Sequence, residues 1–232
     1  MYKRQGCGCD SFLDETNYSD VTSEGGYYDT EAGLNAVVNA CYTPLRFWAG
    51  KEDAIGLSET GTDIIAAGSG CVDNNMAAYT QSLDGTNSAC TFYFDRFYAA
   101  INWCNTAIFH AQTVPNPSND EILATTLNKR EAEARVLRTF YYWILTETFG
   151  DIYYTDQPST SIVMNPVKTS TDNIYQYMFD DLDWAIKSKL STLQNDGGRV
   201  TIWTAKALKA RLLLTRASEK NDVDMYGPVS YT

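Results

Sequence analysis

One histidine, six prolines and 18 basic residues in a chain of 232 leave this sequence short of several kinds of chemistry. His110 stands alone, with no zincin pattern and no nucleophile elbow, so Ser–His or Cys–His catalysis would rest on it entirely. The ordinary use of such a residue is structural, and His110 is assigned no role. No G-x-x-x-x-G-K-S/T or G-x-G-x-x-G run occurs, so phosphate-cradling loops of those kinds are absent. Eighteen Lys and Arg face 29 Asp and Glu, and the resulting charge of −11 repels a polyphosphate backbone, which excludes general nucleic-acid binding. No apolar run approaches the roughly 20 residues of a membrane helix; the best stretch, 136–145, is short and broken by Arg138. Of six cysteines only Cys7 and Cys9 are close, and their spacing fits neither a zinc knuckle nor a thioredoxin-type motif.

What the chain has in excess is aromatic rings: 5 Trp, 16 Tyr and 9 Phe, or 13%. Rings carry a large apolar face and, in Tyr and Trp, a polar handle, so they suit both cores and binding surfaces. Residues 10–28 show no sustained period and read as an extended arm. From Thr30, Leu34, Val37, Val38, Cys41 and Leu45 follow the spacing of an amphipathic helix, capped by Asp29 or Thr30 and kinked or ended near Pro44. Residues 50–90 hold six glycines and many Ser, Thr, Asn and Asp, and predict a long loop with one short helix at most. A helix from Thr91 places Phe94, Phe97, Tyr98, Ile101, Cys104, Asn105, Ile108 and Ala111 on one face and ends before Pro115. A second begins after Ser118-Asn119-Asp120, presents Ala134, Leu137, Tyr141, Ile144, Leu145 and Phe149 with Arg138 beside them, and stops at Gly150. A third from Thr171 presents Ile174, Met178, Leu182, Ala185, Ile186 and Leu190, and a fourth runs from about Trp203 to Ala217. Only 151–155 looks extended. The class is mainly α, with antiparallel helix pairs whose uneven spacing excludes a regular tetratricopeptide array but admits a decorated one.

Carboxylates are plentiful, and a glycosidase needs only two across a cleft. Glu59 and Asp63 are the candidates for that reading; Asp180, Asp181 and Asp183 are expected to face solvent. Asp73-Asn74-Asn75 and Asn195-Asp196-Gly197 cluster oxygen ligands without matching an EF-hand. The 50–90 loop offers a set suited to polyhydroxylated ligands: Asp63, Asp73, Asn74, Asn75, Tyr79 and Gln81 donate and accept hydrogen bonds, and Trp48 and Tyr79 supply flat faces. Cys41 and Cys104 fall on helix stripes as buried thiols, while Cys71 and Cys90 bracket the polar loop, where an oxidising compartment would permit a disulfide whose connectivity sequence alone does not give.

Several segments together resemble the SusD/RagB family of outer-membrane nutrient-binding lipoproteins. Cys9-Asp10-Ser11-Phe12-Leu13-Asp14 is similar to the family's lipidated cysteine and its phenylalanine–leucine–aspartate start. In Phe97-Tyr98-Ala99-Ala100-Ile101-Asn102-Trp103-Cys104-Asn105 an isoleucine is followed one turn later by an asparagine. The most specific block runs from Glu131 through Arg135, Arg138 and Tyr142 to Thr148-Phe149-Gly150-Asp151-Ile152. The helix carrying Asp181-Leu182 and Ala185, and Gly198-Arg199-Val200-Thr201 leading into Ala205, Ala207 and Leu208, agree in order and spacing.

The resemblance implies a mainly α, SusD-like scaffold of tetratricopeptide-like helical pairs with long decorating loops, and no catalysis or cofactor. It implies a lipid-anchor region and extended arm over 1–28, with Cys7 or Cys9 lipidated, and a helical domain over 29–232 that is incomplete at its C-terminus. An acylated cysteine with more than one chain gives stable membrane anchoring. The implied partners are a glycan, held by loop residues, and a SusC-like TonB-dependent transporter at the outer membrane. A carbohydrate hydrolase using Glu59 and Asp63, or a helical adaptor that binds no glycan, are the other readings the sequence admits.

Overall fold

The computed structural model describes residues 26–49, 52–66, 68, 77–79, 84–116, 118–188, 190, 197–221 and 227. Among them the elements are a 3-10 turn (Tyr27–Asp29), α1 (Glu31–Tyr42), α2 (Leu45–Ala49), α3 (Glu52–Ser58), α4 (Ser88–Thr113), α5 (Glu121–Phe149), β1 (Ile152–Tyr153), β2 (Lys168–Thr169), α6 (Thr171–Lys187) and α7 (Ile202–Lys220). The mainly α expectation holds; the long loop carries α3 and, beyond the one short helix expected, a second helical piece at 77–78. No helix among the described residues is long and apolar enough to cross a membrane.

Local chemistry sets the helix ends. Thr30 caps α1, its Oγ1 accepting from Gly33 N at 3.0 Å. Pro44 separates α1 from α2 because it cannot donate to the preceding turn. Asp120 accepts from Ile122 N and Leu123 N at the start of α5, and Gly150 ends that helix with a φ of 72° that suits a residue lacking Cβ. Ser170 caps α6, and Thr201 with Thr204 forms a capping box on α7.

The long helices run antiparallel, as their cross-contacts show. Along α4 and α5, Phe94 meets Phe149, Phe97 meets Tyr141, Asn105 meets Arg138 and Gln112 meets Glu131. Between α5 and α6, Arg135 lies over Trp184 while Glu147 accepts from Tyr175. Between α6 and α7, Lys209 pairs with Asp183 and Arg216 with Asp172. The core follows from these pairings: Leu34, Phe97, Ile101, Tyr141, Leu145, Ile174, Met178, Leu182 and Leu212 are fully buried, each contributing about 1.5–3 kcal/mol on burial. Stacked rings, Tyr93 on Phe97 and Phe97 on Tyr141, fill its centre.

Three expectations are corrected. Phe94, assigned to the core, is 39% exposed and packs at the margin on Tyr98 and Phe149. Asp181, assigned to solvent, is 5% exposed and receives two arginines. The extended piece after α5 is not alone: β1 pairs antiparallel with β2, Ile152 opposite Thr169 and Tyr153 opposite Lys168. Cys41 and Cys104 are buried free thiols as expected. Cys71, Cys7 and Cys9 lie outside the described residues.

His110 is buried, with its Nδ1 2.7 Å from Asp29 Oδ1 and its ring against Tyr28. The 3-10 turn that supplies both partners sits directly on Gly33, where a Cβ would stand 1.8 Å from Tyr27 O. Gly33→Ala should therefore displace the turn, break the His110–Asp29 pair and cost about 1–3 kcal/mol. Thermal unfolding and the His110 ring signals in NMR check this; an unperturbed His110 would contradict it.

Candidate functional site

A buried polar node organises the surfaces around it. Arg138 on α5 donates from Nε and Nη2 to the two oxygens of Asp181 on α6, both at 2.8 Å, and from Nη1 to Asn105 Oδ1 on α4 at 2.8 Å. Arg135 adds a bond to Asp181 at 2.6 Å and another to Glu131, which also accepts from Gln112. Burial is the largest single influence and by itself would lower the Arg138 pKa, but the Asp181 charge and hydrogen bonds, with Tyr154 and Tyr142 beside them, together outweigh it and hold the guanidinium more firmly protonated.

The node reaches the chain that leaves α5. Tyr98, Asn102 and Asn105 share one face of α4 by their i, i+4, i+7 spacing. Tyr98 donates to Tyr153 O at 2.6 Å, Asn105 to Thr155 O and Gln157 O at 3.1 Å each, and Asn102 Oδ1 accepts from Ser159 N at 2.8 Å. Tyr142 both donates to Thr155 O and accepts from Thr155 N. Residues 153, 155, 157 and 159 are thus bonded at every second position, as in a sheet, except that the partners are helix side chains. Burial raises the Tyr98 and Tyr142 hydroxyls well above their usual range and pushes Tyr154, beside them, up to about 12. These phenols remain neutral donors at any physiological pH.

A second polar cluster joins α1, α5 and the approach to α7. Buried Glu133 accepts from Tyr42 at 2.6 Å, Arg199 at 2.8 Å and Arg130 at 2.5 Å, and Tyr42 in turn accepts from Val200 N. Burial, with the Glu133 charge adding to it, pushes the Tyr42 hydroxyl far above its usual range. This cluster lies at one end of a cleft of about 760 Å³ whose walls include Trp48, Glu59, Phe140, Trp143, Arg199 and Arg211. A separate depression of about 400 Å³ is lined by Gly56, Leu57, Thr60, Tyr79, Asp84 and Phe149, among others.

The structure distributes the residues the sequence singled out. Trp48 lines the larger cleft, half-buried with edge-to-face contacts to Phe97 and Phe140, so much of its ring serves the core margin. Tyr79 lines the smaller depression, is 72% exposed, and has its backbone in the left-handed region at φ 47°. The two rings therefore do not share one cavity. Asp63 is exposed and lines neither, so the structure does not set it across a cleft from Glu59. Asp73, Asn74, Asn75 and Gln81 lie outside the described residues. Asp84 was not singled out; its Oδ1 accepts from Thr86 N and Oγ1, and these bonds hold its carboxyl below the usual range. The D-G-T turn at 84–86 was the available signal for it. Among the described residues no group of three His, Cys, Asp or Glu is placed to hold a metal ion.

This fold of paired antiparallel helices is also what known proteins share with this chain. The SusD-like family described as "Starch-binding associating with outer membrane" matches residues 61–225. The chain belongs to this SusD-like family. A SusD-like protein of Bacteroides ovatus is 26% identical over 223 residues, 91% of this chain and 37% of that protein. SusD-like protein P2 of Formosa agariphila is 26% identical over 214 residues, 90% of this chain and 40% of that one. The crystal structure of a SusD homolog from Bacteroides thetaiotaomicron superposes with a TM-score of 0.73 at 21% identity, over 88% of this chain and 40% of the other. A laminarin-binding SusD-like protein gives 0.70 at 21% identity, over 84% and 41%. The chain thus spans about two-fifths of the length of the relatives it matches. The family's description names starch binding, and the second of those solved neighbours is itself described as binding laminarin.

Removing one partner of a buried ion pair leaves a charge uncompensated and costs about 3–5 kcal/mol. Arg138→Ala and Asp181→Ala should each lower stability by that order in urea unfolding. The double variant should cost clearly less than the sum, because both singles orphan the same network. Additive losses, or single losses under about 1 kcal/mol, would show that the node does not hold the fold together.

Proposed function

We propose that this chain is the helical, ligand-presenting portion of a cell-surface lipoprotein that captures oligo- or polysaccharide and delivers it to a SusC-like TonB-dependent transporter in the outer membrane. The observation that carries this reading is the family match across 61–225, a family described by starch binding and outer-membrane association. The geometry supports it. Tyr79 holds an exposed ring over a depression whose other walls are backbone glycine, hydroxyl, carboxylate and Phe149, a combination that can stack on the carbon–hydrogen face of a sugar and hold its hydroxyls.

The ligand set on this reading is Trp48, Asp63, Asp73, Asn74, Asn75 and Tyr79. Because the two rings line different cavities and Tyr79 is the exposed one, Tyr79 is the principal stacking face and Trp48 a second contact. No covalent step is required: capture needs preorganised contacts that release as readily as they form. A lipid on Cys7 or Cys9 and the arm that follows would tether the scaffold to the membrane.

Native gels cast with starch, laminarin, xylan, mannan or pectin test the reading on the full-length protein. Retardation without release of reducing sugar is expected; release of reducing sugar would instead support a hydrolase, and no retardation in any gel a non-binding adaptor. Tyr79→Ala should weaken retardation about tenfold, or about 1.4 kcal/mol. Trp48→Ala should weaken it less while lowering the unfolding midpoint, since its ring packs on Phe97 and Phe140. A Tyr79→Ala protein retarded like the parent would remove that ring from the site.

A further inference from the structure

A third cavity, of about 480 Å³, opens between α4 and the side-chain-bonded segment 153–159. Its lining shares no residue with either depression beside α3. Its volume lies within the roughly 300–1,000 Å³ usual for small-ligand sites. In a chain where one residue in five is charged, its lining contains no Asp, Glu, Lys, Arg or His. It is built from two tyrosine rings, two amides and several hydroxyls: Tyr98, Tyr153, Asn102, Gln157, Ser159 and Thr160 lead the set.

Some of these groups are already engaged and others are not. Tyr98 Oη and Asn102 Oδ1 bond the segment's backbone, Gln157 Nε2 donates to Asp156, and Ser159 Oγ to Ser161 O. Asn102 Nδ2, Gln157 Oε1, the Tyr153 hydroxyl and the Thr160 hydroxyl have no partner among the described residues, leaving a mixed set of donors and acceptors on the cavity wall. The wall that bears them is rigid, because Tyr98, Asn102, Asn105 and Tyr142 fix its backbone at 153, 155, 157 and 159. Preorganisation of this kind lowers the ordering cost that otherwise consumes binding free energy.

We infer that this cavity is a second saccharide site, separate from the depressions beside α3, selective for neutral over acidic sugars. The absence of any cationic side chain decides the selectivity: a uronate or sulfate placed there would lose hydration without gaining a counter-charge. Neutral hydroxyls, in contrast, find amide and hydroxyl partners beside two ring faces. Asp156 and Lys168, the neighbouring charges in the segment and its paired strand, do not line the cavity. The inference rests on the glycan-binding reading for the class of ligand and on this cavity alone for the place.

Isotope-labelled full-length protein titrated with maltohexaose, laminarihexaose and trigalacturonate tests it by NMR. The Asn102 side-chain amide and the Ser159 and Thr160 backbone amides should shift saturably with a neutral hexaose and not with trigalacturonate. Tyr153→Ala should abolish these shifts, and Thr160→Val, an exposed position with no packing role, should weaken them several-fold; Tyr79→Ala should leave them in place. Shifts confined to Thr60, Tyr79 and Asp84 would overturn the second site while sustaining the glycan reading. Equal shifts with trigalacturonate would overturn the selectivity, and no shift at Asn102, Ser159 or Thr160 with either hexaose would overturn the second site, the glycan reading itself being decided by the gel panel.

Discussion

A guanidinium that the fold cannot leave unpaired sits where three helices meet. Arg138 is almost wholly buried, and only because Asp181, Asn105 and the backbone of Asp156 occupy its donors is that tolerable. The partners come from α4, α6 and the strand-like exit of α5, so satisfying one charge fixes the mutual placement of all of them. The aliphatic packing around it supplies most of the stabilisation, but it is non-directional. The bidentate fork on Asp181 and the amide of Asn105 choose the register of α4 and α6 on α5.

From that register follows the surface. Asn105 uses its oxygen on Arg138 and its amide on Thr155 and Gln157, so a buried charge is converted, through one side chain, into a fixed stretch of exposed backbone. Tyr98, Asn102 and Tyr142 extend the same role. Loops of helical scaffolds are usually the mobile and variable part; this one is held at alternate residues from below, which is how a helical protein can offer a preorganised wall without a sheet.

The parts of this that could be read from the chain were those with a local cause. Gly150 after an apolar stripe, Asp120 before one and Pro44 between two each dictate a helix end through their own backbone chemistry, and the structure places the ends there. Asp181 shows the limit. It sits three residues after Met178 and seven after Ile174, on the buried stripe of α6, so periodicity alone put it inside; reading it as a solvated acid gave its charge more weight than its position. Phe94 erred the other way: the buried stripe of α4 runs through Tyr93, Phe97, Ile101 and Cys104, and Phe94 sits at its edge. The pairing of β1 with Lys168 and Thr169 lacked a signal, since two residues carry no period. Trp48 and Tyr79 were legible as rings near a polar loop, but not their separation into two cavities, which depends on tertiary placement that no local pattern encodes.

The long segment that carries α3 lies between Tyr42 and Ser88, and its first helix still packs on the scaffold through Leu45 and Trp48. The contacts that hold its flanks, Tyr141 on the carbonyl of Cys41 and His110 on Asp29, are made by residues outside it. Such an arrangement works as a cassette: closure entropy rises only slowly with loop length, so inserts of different size and composition can be carried between the same two helices. Recognition can then diversify by exchange of one contiguous stretch of chain, while the buried charges that set the helices in place are inherited unchanged.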